Sequence, residues 1–149
     1  MSDTRKVRQL AMQHPVAVRE DWETPPAFFA KLDAEFGFTL DVCATPENAK
    51  CARFITPAMD ALAVDWSGEV CWMNPPYGAE IPRWMAKAWD ESRHATVVCL
   101  VPARTDTRWW HQYAERANER RFVQGRIKFV GAPYNAPFPN AVIVFRGAA

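Results

Sequence analysis

The sequence is poor in glycine and has little that would hold a metal ion or span a membrane. Only six of the 149 residues are glycines, and none lies between Gly37 and Gly68, so that stretch has no Gly-rich ligand-binding turn. The four cysteines are 8, 20 and 28 positions apart. Without a Cys-x-x-Cys pair a zinc site is not expected, and buried free thiols are favoured.

Long apolar segments are also missing. No stretch has the apolar length that a bilayer requires, and residues 1–8 are polar where a signal peptide would have an apolar core. We therefore expect a cytoplasmic protein with no membrane contact. Residues 1–20 lack hydrophobic periodicity and are expected to form a flexible arm, whereas residues 21–149 are long enough for a single domain with one hydrophobic core.

Charge is distributed unevenly along the chain, although its net charge is only +1. Residues 1–100 contain ten Lys/Arg and 14 Asp/Glu residues, a net charge of −4, and residues 101–149 contain eight and three, a net charge of +5. A basic segment of this kind fits a surface that faces phosphate groups. For Arg116, Arg120 and Arg121 a solvated helix face explains the pattern equally well.

Hydrophobic periodicity predicts alternating helices and strands. The first helix is expected to begin at Pro25 with Thr24 as its N-cap and to end at Gly37, and a later helix is expected to be capped by Asp106. Buried strands are predicted at residues 38–44, 70–73 and 95–101, a short strand at 53–56, an amphipathic helix over 81–89, and an antiparallel pair formed by 126–130 and 141–145. This alternation predicts an α/β, Rossmann-like fold, with a mostly parallel sheet and an antiparallel hairpin at its carboxyl-terminal edge.

The tetrapeptide Asn74-Pro75-Pro76-Tyr77 follows the predicted strand at 70–73. An Asn amide offers an acceptor and two donors, and the prolines lack backbone N–H groups, which leaves carbonyls that only accept hydrogen bonds. The Asn74 oxygen and the Pro75 carbonyl are thus suited to accept both hydrogens of an exocyclic amino group, while Tyr77 covers the ring that carries it. An ordinary proline turn is the alternative.

A carboxylate and two small residues end the strand predicted before this one. Asp41 is suited to accept hydrogen bonds from the amino group of an amino-acid ligand, and Cys43 and Ala44 would let that ligand approach the backbone. A capping role explains Asp41 equally well.

Two later segments carry candidate nucleic-acid contacts. Arg104 and Arg108 are suited to contact phosphate, and Trp109 to stack on a base or fill the gap left in a duplex. Phe138, held between two prolines, is suited to form the second wall of a base pocket opposite Tyr77. Core packing is the alternative for both aromatic residues, and it is preferred for Trp110.

In their fixed order, from about residue 21 to 146, these motifs resemble the phage DNA N6-adenine methyltransferase family (Dam-like). The matching motifs are Trp22-x-Thr24-Pro25, Phe38 to Ala44, Asn48 to Cys51, Trp66-x-Gly68, Asn74 to Gly78, Val101 to His111 and Pro137 to Pro139. The resemblance implies a class I methyltransferase fold, S-adenosylmethionine as methyl donor, and N6 of adenine in DNA as acceptor, reached by base flipping. By motif match it implies cofactor contacts at Trp22, Thr24, Pro25, Asp41, Cys43, Ala44 and Asn74, and a catalytic clamp formed by Asn74, Pro75, Pro76 and Tyr77.

Several other interpretations remain open. The chain lacks the glycine-rich turn that usually follows the first strand of a methyltransferase. This absence favours a non-catalytic nucleic-acid-binding module on the same fold. A cytosine-N4 or protein-glutamine methyltransferase and a generic nucleotide-binding domain are further alternatives. Direct methyl transfer needs no metal. The target sequence, the choice between duplex and single-stranded DNA, and a possible homodimer are not decided by the sequence.

Overall fold

The computed structural model describes residues 21–147, which form a mixed five-stranded sheet with helices packed against it. The arm predicted for residues 1–20 lies outside the described residues. The strands are β1 (Leu40–Asp41), β2 (Val70–Met73), β3 (Thr96–Pro102), β4 (Glu119–Phe122) and β5 (Asn140–Arg146). Their order across the sheet is β1-β2-β3-β5-β4.

Strand direction divides this sheet into two parts. β1, β2 and β3 run parallel, and β5 runs antiparallel to both β3 and β4. The register pairs Asp41 with Trp72, Met73 with Cys99, and Pro102 with Asn140. Since the parallel strands end at the same edge, the segments that follow Asp41 and Met73 and the residue that begins β5 lie along that edge. The predicted α/β class and the antiparallel carboxyl-terminal edge are confirmed.

Three α-helices lie in the described part of the chain: α1 (Pro26–Phe36) precedes β1, α2 (Ile81–Glu91) joins β2 to β3, and α3 (Arg108–Gln112) lies between β3 and β4. The helix α1 ends as predicted at Gly37, which has a φ of 66° and donates its N–H to the Asp33 carbonyl at 2.8 Å. The helix α2 is amphipathic as predicted and buries Ile81, Met85 and Ala88. Short 3-10 turns occupy Pro57–Met59, Ala61–Ala63 and Ala114–Arg116.

The predicted caps of two helices are wrong by one residue. Pro25 occupies the N-cap position of α1, which leaves the Thr24 side chain free for a longer-range contact. Thr107 caps α3, where its hydroxyl oxygen accepts the Trp110 N–H at 3.3 Å, so Asp106 lies outside the helix. At α3 both Asp106 and Thr107 are suitable caps in sequence, whereas Pro25 caps α1 without any side-chain hydrogen bond.

The predicted partner of the last strand is also wrong. β5 pairs with the charge-rich segment Glu119–Phe122 and not with residues 126–130. Residues 126–130 alternate between exposed and buried because Ile127 and Phe129 pack into the core without forming a strand. Arg120 and Arg121 therefore lie on an edge strand, while Arg116 lies in a 3-10 turn. The helix-face alternative is therefore wrong for Arg120 and Arg121, which belong to a strand.

The strand predicted over residues 38–44 is much shorter than expected. Only Leu40–Asp41 pair as β1, and the predicted strand at 53–56 is reduced to a bridge between Asp41 and Phe54. The buried side chains of sheet and helices form one hydrophobic cluster, with Trp66, Trp72 and Trp110 among its largest members. Within residues 21–147, no helix combines the length and apolar character needed to cross a bilayer.

Candidate active site

A cavity of about 480 Å³ opens at the carboxyl ends of β1 and β2. Ligands in open α/β sheets bind at this edge, and the volume is in the range of small-molecule and cofactor sites. Of the seven residues for which cofactor contacts were predicted, Pro25 is not in the wall. The other six line it: Trp22, Thr24, Asp41, Cys43, Ala44 and Asn74.

The rest of the cavity wall was not predicted from the sequence. It comes mainly from the loop that follows β1 and from the start of α2, with further residues from the segment before α1 and from the segment before β5. It includes Asp21, Glu23, Asn48, Lys50, Thr56, Asp60, Glu80, Arg83, Trp84 and Val130. Only the position of these residues in the sequence could have indicated them, because each of these loops follows a predicted strand or precedes a predicted helix. Five carboxylates and two cationic side chains face the cavity, so its wall favours a ligand with net positive charge.

The Asn74 side chain has a fixed orientation at one end of this cavity. Its Nδ2 group donates to the backbone carbonyl of Trp22 and to Oγ1 of Thr24, the latter at 3.0 Å. Because a carbonyl can only accept, the amide nitrogen has to face Trp22. The Asn74 Oδ1 atom is buried and has no hydrogen-bond partner in the described part of the chain. A preorganised acceptor therefore stands at the end of β2.

The Asp41 carboxylate is buried at the end of β1, with 3% of its surface exposed. Its Oδ1 accepts the Cys43 N–H at 3.1 Å and its Oδ2 accepts the Lys50 N–H at 3.0 Å. Burial raises the pKa of Asp41 to about 6, against the lowering effect of these two hydrogen bonds. Asp41 thus shapes the loop that follows β1 and also places a titratable group in the cavity wall.

Cys43 lies next to this carboxylate in the cavity wall. Burial, together with the charge of Asp41, raises the pKa of the Cys43 thiol to about 12. The thiol is therefore neutral near pH 7, and Cys43 acts as a small apolar part of the wall and not as a nucleophile.

The two prolines that follow Asn74 have different environments. Pro75 is buried and does not line the cavity, whereas Pro76 is partly exposed and does. Two prolines in succession lack both N–H donors and restrict the backbone, so the turn holds its shape without donating hydrogen bonds.

Tyr77 is buried beyond this turn, with 6% of its surface exposed. Its hydroxyl donates to the Leu100 carbonyl at 2.9 Å and accepts from Asn140 Nδ2 at 3.4 Å. Asn140 Nδ2 also donates to the Val101 carbonyl at 3.2 Å. β2 ends opposite Cys99, so it does not reach the Leu100 and Val101 carbonyls of β3. The Tyr77 and Asn140 side chains donate to these two carbonyls instead. No role was predicted for Asn140 from the sequence.

The Tyr77 ring belongs to an aromatic cluster next to the cavity. It packs edge to face against Phe138 at 5.5 Å and against Phe129 at 6.2 Å, and both phenylalanines contact Trp22. Tyr77 and Phe138 were predicted to form opposite walls of a base pocket. Here their rings touch, and a base would fit between them only after the rings separate.

The predicted DNA contacts divide into exposed cations and buried aromatics. Arg104 and Arg108 are exposed, and the Arg104 guanidinium lies 5.9 Å from the centre of the Phe138 ring. Trp109 and Phe138 are 7% and 8% exposed. The burial of these two rings favours the core-packing alternative for them. Trp110 is in the core as predicted, and its Nε1 donates to Glu115 at 2.9 Å.

Comparisons with known proteins agree with this geometry. The family model for DNA N-6-adenine-methyltransferase (Dam) matches residues 11–142. The chain is 36% identical over 114 residues to a DNA N-6-adenine-methyltransferase of Haemophilus phage HP1, an alignment that covers 73% of this chain and 65% of the relative. It is 32% identical over 116 residues to the protein of the same name from Escherichia phage T1, which covers 76% of this chain and 48% of that relative. The chain thus spans about two thirds of the length of the first relative and about half of the length of the second.

Proposed function

Because the chain belongs to the DNA N-6-adenine-methyltransferase (Dam) family, we propose that it transfers a methyl group from S-adenosylmethionine to N6 of adenine in DNA. The observation that best supports this proposal is the orientation of the Asn74 carboxamide. Its nitrogen is engaged with Trp22 and Thr24, and its oxygen is buried without a hydrogen-bond partner among the described residues, in a side chain that lines the cavity. An acceptor in that position suits a ligand that brings N–H donors, as an adenine amino group does.

The adenine amino group is a poor nucleophile because its lone pair is delocalised into the ring. Hydrogen bonds from its two hydrogens to Asn74 Oδ1 and to the Pro75 carbonyl would favour a pyramidal nitrogen and localise the lone pair. The same two acceptors would stabilise the positive charge that develops at N6. The first of these acceptors, Asn74 Oδ1, is already oriented by the contacts of its own amide nitrogen, so it needs little reorientation when the base binds.

S-adenosylmethionine fits the cavity in size and in charge. It carries a sulfonium and an ammonium group against one carboxylate, and the wall presents more carboxylates than cations. When bound, it supplies an electrophilic methyl group. Asp41 would hold the ammonium group, and Thr24 and Trp22, which contact Asn74 and line the same cavity, would lie beside the cofactor.

In duplex DNA the adenine has to leave the base stack before it reaches Asn74. We propose that Pro76 and Tyr77 receive the ring of the flipped base, with Phe138 moving aside as it enters. Stacking on Tyr77, of about 1–3 kcal/mol, would offset part of the cost of flipping. We also propose that the three parallel strands with a cofactor cavity at their carboxyl edge are the core of a Rossmann-like class I methyltransferase fold.

Incubation with methyl-labelled S-adenosylmethionine and mixed-sequence duplex DNA, followed by digestion to nucleosides, tests the activity directly. The wild type is expected to label N6-methyladenine, and Asn74→Ala is expected to abolish the label. Asn118→Ala is the matched control, because that carboxamide accepts from the Arg146 N–H at the opposite end of the sheet.

Each other outcome points to a different function. Label in cytosine would keep the mechanism and change the acceptor base. If no nucleic acid is labelled although the protein binds S-adenosylmethionine, the acceptor is wrong. If the protein binds DNA but does not bind S-adenosylmethionine, the non-catalytic binding module is the better interpretation.

A further inference from the structure

An exposed tyrosine stands at the tip of a closed loop between the core and β5. Tyr134 has 80% of its surface exposed, and its neighbours Pro133 and Asn135 are exposed as well. The loop is closed below the tip by a hydrogen bond from the Ala136 N–H to the Ile127 carbonyl at 2.7 Å. An exposed aromatic side chain is not unusual by itself, so its surroundings have to indicate a role.

The base of this loop is anchored beside the candidate active site. Phe129 and Phe138, one on each side of the tip, pack edge to face on Trp22 at 5.3 and 5.2 Å. The Val130 N–H donates to the Glu23 carbonyl at 3.0 Å, and Val130 itself lines the cavity. Tyr134 therefore projects from a segment fixed to the same residue, Trp22, whose carbonyl orients Asn74.

Cationic side chains flank the loop without acidic partners. Arg104, Arg126 and Lys128 are exposed, and none of them forms an ion pair within residues 21–147. Arg104 lies over Phe138, and the Ala103 N–H donates to the Pro139 carbonyl at 2.8 Å, which ties this cation to the loop.

The basic residues of β4 and β5 differ in this respect. Arg120, Arg121 and Arg146 each pair with a glutamate. Uncompensated positive charge is thus found beside the Tyr134 loop, where it is available to an anionic partner.

We propose that residues 126–139 form the DNA-contacting loop, in which Tyr134 stacks on the bases next to the flipped adenine and Arg104, Arg126 and Lys128 contact the flanking phosphates. A planar side chain can fill the gap that a flipped base leaves, and prolines at 133, 137 and 139 restrict the loop before binding. This inference rests on the proposed function, because it requires a base to leave the duplex.

Methylation of a duplex and of its separated strand by Tyr134→Ala tests the stacking role. Loss of one base–aromatic stack is expected to lower kcat/KM on the duplex roughly tenfold more than on the single strand, while Tyr134→Trp retains the duplex activity. An equal loss on both substrates, or no loss on the duplex, would overturn the role of Tyr134. Calorimetric binding of S-adenosylmethionine to each variant shows whether the fold is intact.

Salt dependence of duplex binding tests the phosphate contacts. Lys128→Gln is expected to weaken equilibrium binding and to reduce the slope of log K against log salt by about 0.9, the value for one lost phosphate contact. Arg116→Gln is the control. Arg116 is also exposed, but it precedes β4, which begins at the edge of the sheet where β3 starts and not at the edge where β3 ends. An unchanged slope for Lys128→Gln would overturn this part of the proposal.

The two levels of proposal fail in different ways. If the wild type methylates DNA and the loop variants match it in activity and salt slope, only the loop assignment fails. If the wild type methylates no DNA, the proposed function fails, and the salt slope alone still decides whether this loop contacts nucleic acid.

Discussion

The hydroxyl of Thr24 accepts a hydrogen bond from Nδ2 of Asn74 at 3.0 Å, across 50 residues of sequence. The Trp22 carbonyl accepts from the same nitrogen. A carboxamide that is free to turn can present either its oxygen or its NH2 group, but this one can present only its oxygen. The segment before α1 thus fixes the orientation of the Asn74 carboxamide on which the proposed reaction depends.

Asn74→Asp tests the orientation with almost no change of shape. The new oxygen cannot donate to the Trp22 carbonyl and would instead place negative charge against it. We expect kcat to fall by at least about 100-fold, as when a preorganised group is lost from an active site. Single-turnover methylation measures this effect, and near-normal activity of Asn74→Asp would contradict the role of the donor contacts.

Thr24→Val removes the hydroxyl acceptor and keeps the volume of the side chain. Because the Asn74 NH2 group then loses a partner, we expect kcat/KM for methylation to fall by a factor that corresponds to about 1–2 kcal/mol. Thr24→Ser retains the hydroxyl and is the matched control. If the valine and serine variants are equally active, the hydroxyl has no part in orienting Asn74.

Much of the fold could be predicted from apolar runs. β2 was placed with its observed bounds, and β3 and α2 within two residues, because continuous burial or a helical stripe leaves a clear pattern. β4 could not be predicted, because its sequence, Glu-Arg-Arg-Phe, carries no apolar signal. Its arginines are accommodated at the sheet edge, where Arg121 donates to Glu35 at 2.7 Å and 2.6 Å.

The candidate site was predictable where its residues form local motifs. Trp22, Thr24, Asp41 and Asn74 came from short patterns next to predicted elements, and the cavity brings them together. The contacts between Asn74 and Thr24 and between Tyr77 and Asn140 join residues 50 and 63 positions apart. No periodicity or spacing in one sequence reports such pairs, so they required coordinates.

The raised pKa of Asp41 leads to two effects of pH with opposite signs. Burial raises this pKa to about 6, so between about pH 4 and pH 6 the folded protein binds more protons at Asp41 than the unfolded chain does. The contribution of Asp41 to the free energy of unfolding of the cofactor-free protein therefore increases as the pH falls through this range. An ammonium ligand prefers the ionised carboxylate, so affinity for S-adenosylmethionine should decrease over the same range.

Calorimetry and urea unfolding between about pH 4 and pH 7 measure these two effects. Asp41→Asn is expected to bind the cofactor weakly and with little pH dependence. Asp60→Asn is the control, because Asp60 also lines the cavity but is exposed. Cofactor affinity that does not change with pH in the wild type would argue against contact between Asp41 and the ammonium group.

The Tyr77 hydroxyl and the Asn140 carboxamide should be energetically coupled. Burial raises the pKa of the Tyr77 phenol well above its ordinary value, so the hydroxyl stays neutral and acts as both donor and acceptor. Tyr77→Phe leaves the Leu100 carbonyl without this donor, and Asn140→Ala does the same to Val101. Each change should lower the free energy of unfolding by about 1–2 kcal/mol.

A double-mutant cycle in urea separates the shared contact from the individual ones. The double variant should lose less stability than the two single losses together, by about 0.5–1 kcal/mol, because either change already breaks the Tyr77–Asn140 contact. Tyr77→Phe keeps the ring and is expected to retain methylation, whereas Tyr77→Ala removes the surface proposed to cover the base and should lose it. Strictly additive losses would show that the 3.4 Å contact contributes nothing, and equal activity of the phenylalanine and alanine variants would remove the ring from the proposed base site.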